Sequence, residues 1–174
     1  MIDDVVSGAE SPGAIGDIVD QLAELRRRLL SEDNSWLTAL VSLRPELEIT
    51  IGCLMQVQQF PLDDDDSPDT FEVMLKDGTA SPARGTRTRV AETWRTEAMI
   101  GEVVGLFHRF DLRELGDEEG RLEQRTIFGV FPPKSSDMVR FIFTVSDLAA
   151  FDDMPKDTQA IVETLRVTLE ESAS

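Results

Sequence analysis

His108 is the only histidine of the 174-residue chain, Cys53 is the only cysteine, and there is no tyrosine. General acid–base chemistry draws on His, carboxylates, Lys, Tyr and Cys, so beyond His108 it would fall here to carboxylates, Lys and Cys53. A Ser-His-Asp or Cys-His arrangement would have to use His108, which sits in an apolar strand pattern beside Phe107 and Phe110. A zinc site needs three or four Cys and His ligands, and the chain holds only two such residues. No Gly-Lys-Ser/Thr phosphate loop occurs, and no G-x-G-x-x-G follows a strand. Carboxylates are so abundant that no single pair stands out for glycoside chemistry. The run Asp63–Asp66 offers oxygen ligands, but the twelfth position of a calcium loop started at Asp63 is Met74, not Glu. The chain is therefore expected not to be an enzyme: no catalytic residue, no cofactor and no metal.

One constellation is positive. Arg87, Arg89 and Arg95 alternate along one face of a strand pattern, with Arg84 just before them, while Trp94 falls on the other face with Thr88, Val90 and Glu92. Arg109 and Arg140 stand at interior strand positions, where long stems can lie over apolar surface and keep the charge wet. Cross-strand pairing with Glu and Asp accounts for such arginines. Recognition of an acidic ligand or partner is the functional alternative. The candidate binding residues are Arg87, Arg89, Arg95, Trp94 and His108.

The net charge of −17 argues against nucleic acid, whose binding rests on Lys and Arg at phosphates, and against an anionic membrane surface. It leaves a basic protein or cationic patch. Another protein is the expected partner, with a homodimer left open. A lone cysteine allows no intrachain disulfide. The segment Met1–Glu10 has Asp3, Asp4 and Glu10 and no basic region like that of a secretory signal. No apolar run reaches the ~20 residues of a membrane helix. These features point to the cytoplasm.

The elements that must position these residues follow from hydrophobic period. Residues 1–174 read as a single domain, with 1–13 expected to be disordered. Ile15, Ile18, Val19, Leu22, Leu25 and Leu29 form a helical stripe, with Asp17 and Asp20 early and Arg26–Arg28 late, as the helix dipole favours. Trp36–Val41 reads as one or two helical turns stopped by Pro45. Leu47–Gln58 alternates as a strand with Cys53 on its apolar face, a small buried hydrophobe. Residues 61–70 read as an acidic loop. Phe71, Val73 and Leu75 read as a short strand before an Asp77-Gly78 turn. Strands are expected over Thr86–Arg95, Val103–Leu112, Arg125–Phe131 and Met138–Val145. Asp152, Asp153 and Pro155 start a final helix with a stripe of Ile161, Val162, Leu165 and Leu169. The expected class is α+β: an antiparallel β-sheet of about six strands with N-terminal and C-terminal helices packed on one face.

The block Gly85–Leu169 carries a resemblance. Its residues are Gly85-Thr86-Arg87-Thr88-Arg89-Val90, Val103–Arg113, Thr126–Pro132 ending in Phe-Pro-Pro, the Phe-rich Met138–Val145, Ser146-Asp147-Leu148, Phe151 and Gln159–Val167. In that order they resemble actinobacterial proteins of the PsbP-like fold, the fold of the Ran-binding Mog-type proteins. The resemblance covers about half the chain and implies a non-enzymatic binding or assembly module. Many such proteins are secreted or lipoproteins, whereas no signal or lipidated cysteine is evident here.

The leading expectation is a non-catalytic protein-interaction module, an adaptor or secretion-type chaperone. One alternative is a small-molecule-binding protein or unrecognised enzyme with a pocket between sheet and helix, near His108 or Trp94. The other is an acidic mimic or immunity-type inhibitor of a basic protein, with acids such as Asp63–Asp66 gathered on one surface.

Overall fold

In the computed structural model, residues 35–42, 50–82, 85–113, 120–145, 148 and 150–166 are described, with the backbone alone for 35–42 and 50–52. The expected loose segment 1–13 and the helix expected over Ile15–Leu29 lie outside these residues. The elements are strands β1 (Ser35–Ser42) and β2 (Thr50–Pro61), helix α1 (Pro68–Ala80), strands β3 (Thr86–Ala98), β4 (Gly101–Leu112), β5 (Arg121–Phe131) and β6 (Asp137–Val145), and helix α2 (Met154–Val162). All strand pairs are antiparallel, in the order β1-β2-β6-β5-β4-β3. The class is α+β with a six-stranded antiparallel sheet.

Two elements differ from expectation. Trp36–Val41 belongs to strand β1, paired with β2 from Ser35↔Gln58 to Ser42↔Thr50, and is not helical. Phe71–Leu75 belongs to helix α1 and is not a strand. Phe71 and Leu75 fit both a period of two and the i, i+4 spacing of a helix, and the start of the segment decides between them. Ser67 is the N-cap, with its hydroxyl accepting from Thr70 N at 3.2 Å while Thr70 Oγ1 accepts from Ser67 N at 2.8 Å. Pro68 supplies a preset first turn and Asp69 suits the positive helix end. The acidic loop is accordingly shorter than 61–70: β2 runs to Pro61 and α1 begins at Pro68.

Strand alternation divides the core in two. On one face Val103, Phe128, Val130, Phe141, Phe143 and Val145 pack with Met154 and Val162 of α2. On the other, Val104, Leu106 and Met138 pack with Phe71 and Leu75 of α1. The helix expected near the C-terminus thus covers one face, and α1 covers the other. The connection from β2 to β3 joins the second strand position to the far edge, which carries α1 across β5, β4 and β3. Glycines permit the closest approaches. A Cβ on Gly129 would lie 2.5 Å from the Phe71 ring, and one on Gly105 2.4 Å from the Trp94 ring.

Candidate functional site

The predicted binding residues do not form one site: Trp94 was expected on the face opposite the arginines, and an irregularity in β3 separates the arginines from one another. The register with β4 slips between Thr88 and Val90: Thr88 pairs with Phe110 and Val90 with Arg109. The bulge at Arg89 reverses the facing of the residues on either side of it. Thr88 and Arg95 consequently lie on the α1 face. Arg87, opposite Asp111, lies on the α2 face with Trp94. Arg89 donates to Asp111 Oδ2 at 2.7 Å across the bulge.

Each remaining candidate is held by structure. Arg95 clamps α1 to the sheet edge through Asp69 Oδ1 and Glu72 Oε2, both at 2.6 Å, and reaches Glu102 at 3.4 Å. Glu72 also takes Lys76 at 2.6 Å and the Thr93 hydroxyl at 3.2 Å. The hydrogen bond from Lys76, then that from Arg95, holds its carboxyl down at about 2. Asp69 and Glu72 in turn raise the Arg95 guanidinium above its ordinary value. Trp94 donates from Nε1 to Gln159 Oε1 of α2 at 3.0 Å and meets Phe128 edge-on at 5.6 Å. The hollow it shares with α2 holds about 490 Å3 and is lined also by Asp153, Lys156, Gln159 and Glu163.

His108 is 8% exposed and stacks on Phe110 with ring centres 4.6 Å apart. Its Nε2 lies 3.0 Å from Thr88 Oγ1, which itself donates to the Thr79 carbonyl at the end of α1. Burial, then the charge of Arg125, lowers the His108 pKa. His108 is thus largely enclosed, with Nε2 engaged by Thr88 within the fold. Cys53 cannot act as its nucleophile: it lies on the opposite face, 2% exposed, and burial pushes its thiol up to about 11. Among the described residues no group of three or more His, Cys, Asp or Glu is placed to hold a metal ion.

Arg109 and Arg140, and with them Arg125, rest on aromatic rings. Arg109 lies 5.7 Å over Phe107, Arg125 5.2 Å over Phe110 and Arg140 4.6 Å over Phe60. Arg140 also donates to Gln58 Oε1 through Nε at 3.2 Å.

The concave feature that sequence reasoning missed lies beside α1, where the helix flank faces the ends of β2, β5 and β6. This groove holds about 350 Å3. Phe60, Phe71, Met74, Phe131 and Met138 supply its apolar lining, and Asp66, Ser67, Thr70 and Arg140 its polar lining. Ser67 and Thr70 are committed to the helix cap, and Arg140 to Gln58 and the Phe60 ring. Met74 is 50% exposed and Val73, on the outer side of the helix, 57%. The signal for the groove was the pairing of Phe60 with Phe71 and Met74 across the acidic loop. That pairing becomes visible only once Phe71 is placed on a helix.

No protein-family model matches the chain, and no curated protein does. Among solved structures it resembles the crystal structure of PA94 from Pseudomonas aeruginosa, a protein of unknown function proposed as a regulator. The TM-score is 0.53 at 11% sequence identity, over 80% of this chain and 86% of that one. At that identity the likeness shows the fold alone. Among the described residues no helix is long and apolar enough to cross a membrane.

Proposed function

We propose that this chain is a non-catalytic protein-interaction module of the adaptor or secretion-chaperone kind, working in the cytoplasm through the groove beside α1. One observation carries the reading: an open groove lined by three Phe and two Met whose polar groups are largely tied to the fold itself. An enzyme pocket instead converges free polar groups on a substrate. The PsbP-like resemblance belongs to the same reading and is supported by the order β3, β4, β5, β6, α2. The acidic-mimic alternative loses ground, because exposed acids lie beside α1 at Asp63–Asp66 and also beside α2, on the other face, at Asp152, Asp153 and Glu163.

A second reading, a small-molecule binder, is favoured by the groove volume, which falls within the range of ligand pockets, and by the hollow of about 490 Å3 between Trp94 and α2 with its polar lining. A photo-crosslinking side chain placed at Met74, and in a control chain at Ala160 on α2, separates the two in lysate of the source organism. The module reading expects one polypeptide joined from position 74 and none from 160. Purified, that polypeptide should rebind the native chain and lose at least about tenfold in affinity with Met74→Asp. A small molecule joined at 74, or equal labelling at both positions, overturns it.

A further inference from the structure

We infer that the occupant of the groove beside α1 is an apolar polypeptide segment flanked by Lys or Arg. The inference rests on the module reading above and adds to it the chemistry of the partner. The floor calls for apolar side chains. Met74 and Met138 are unbranched and polarizable, and with Phe60, Phe71 and Phe131 they can fit differing apolar groups rather than one shape.

The rim calls for positive charge. Asp63, Asp64, Asp65 and Asp66 are all exposed, and Asp66 is part of the lining. The run is held in place as a turn: Asp66 N donates to Asp63 O at 3.0 Å, and Asp63 N donates to Asp66 Oδ2 at 2.9 Å. The four aspartates outnumber Arg140, the one cation among the groove's lining residues. Arg95 is tied to Asp69, Glu72 and Glu102, and Arg140 lies against Phe60 and Gln58 on the groove wall. An acidic segment would bring its charges against this rim, and an anionic bilayer would be repelled by it. A basic-flanked segment is attracted at long range by a −17 chain and ends with its charges beside the aspartates while its apolar residues enter the groove.

The test is fluorescence anisotropy of labelled synthetic peptides with the purified full chain. One peptide has a Leu/Phe core and Lys flanks, one the same core with Glu flanks, and one a Ser core with Lys flanks. The Lys-flanked apolar peptide is expected to bind at least about tenfold more tightly than either other, with affinity falling as salt rises. Two substitutions at one exposed site separate groove binding from general attraction. Met74→Asp makes the chain more negative and Met74→Lys less so, yet both place a charge in the apolar lining and should weaken binding at least about tenfold. The pair Asp64→Asn and Asp65→Asn should weaken it by about threefold and flatten the salt dependence.

Tighter binding by Met74→Asp, or equal binding of the Ser-core peptide, means simple charge attraction and overturns the proposal. Equal binding of Lys- and Glu-flanked apolar peptides, both lost on Met74→Asp, overturns the basic flank and leaves the module reading standing. No binding of either apolar peptide overturns the proposal and removes the groove from the module reading as well. Binding of the chain to anionic vesicles in preference to peptide also overturns it.

Discussion

The seating of α1 on the sheet can be tested by adding one methyl group. In Gly129→Ala the new Cβ would lie 2.5 Å from Phe71 Cε1, 2.8 Å from Cδ1 and 3.0 Å from Cζ. Carbon atoms in contact prefer separations of about 3.5–4.0 Å, so the ring must retreat by roughly 1 Å. It has little room, being 7% exposed and packed edge-on to Phe131 at 5.9 Å. Overpacking of this kind costs about 1–3 kcal/mol. Loss of glycine freedom in the unfolded chain returns about 0.4–1 kcal/mol, and the net expectation is a loss of roughly 1–2 kcal/mol. Urea unfolding followed by circular dichroism reads it as a lower midpoint at unchanged slope. Phe71→Leu supplies the rescue, since a shorter side chain vacates the space. The double variant should be more stable than the sum of the singles predicts by at least about 0.5 kcal/mol. Gly78→Ala, within α1 and with nothing within 4 Å of the added Cβ, should instead stabilise by roughly 0.5–1 kcal/mol, as Ala for Gly does inside a helix. If Gly129→Ala is neutral, or the double variant is simply additive, Phe71 does not seat on Gly129 and the groove geometry falls with it.

Two further outcomes are expected. The Glu72 carboxyl is held at about 2 against an ordinary 4.5; its folded pKa is the lower, so its contribution is full above about 4.5 and is lost as pH falls towards 2. The stability gap between wild type and Glu72→Gln, measured by thermal melts, should close over that window, and a gap independent of pH would refute the role given to Lys76 and Arg95. On the α2 face, the buried Thr126 hydroxyl donates to Thr158 Oγ1 at 2.9 Å, and Thr158 donates to the Met154 carbonyl at 2.6 Å. Thr158→Val strands the Thr126 donor and should cost about 1–3 kcal/mol, more than Thr126→Val, which leaves the Met154 bond intact; equal costs in urea unfolding would count against this chain of donors.

Most of the sheet was legible because its strands alternate over long runs: Met138–Val145 and Val103–Leu112 differ from β6 and β4 by no more than two residues at either end. Where the period was ambiguous, flanking chemistry decided, and it was read incompletely. Ser67, Pro68 and Asp69 mark a helix start, and they outweigh the alternation of Phe71, Val73 and Leu75. The arginine face failed for a different reason. A period of two predicts facing only while the register is unbroken, and the bulge at Arg89 has no glycine or other local mark. Arg87 and Arg95 were therefore placed together although the sheet lies between them. The assignment of Cys53 as a small buried hydrophobe needed only the side of the strand on which it lies, and its 2% exposure agrees.

These two departures are connected through the far edge of the sheet. With Phe71 on a helix, α1 must lie on one face, and β3 is the edge strand that pins both its ends. Arg95 holds the first turn through Asp69 and Glu72, and Thr88 holds the last through the Thr79 carbonyl. Without the slip, Thr88 would share the facing of Trp94 rather than that of Arg95, and its bond to the Thr79 carbonyl would be lost. The bulge thus lets a single strand grip the helix at both ends. A helix gripped along β3 and packed over β4 and β5 leaves its other flank facing the ends of β2 and β6. There Phe60 and Met138 meet Met74 across open space. The run Asp63–Asp66 leads from β2 into the helix cap, so it is set on the rim of that space by the same connection. The acidic loop and the apolar groove are for that reason one feature of the fold, and Arg95, one of the candidate binding residues, is part of what positions it.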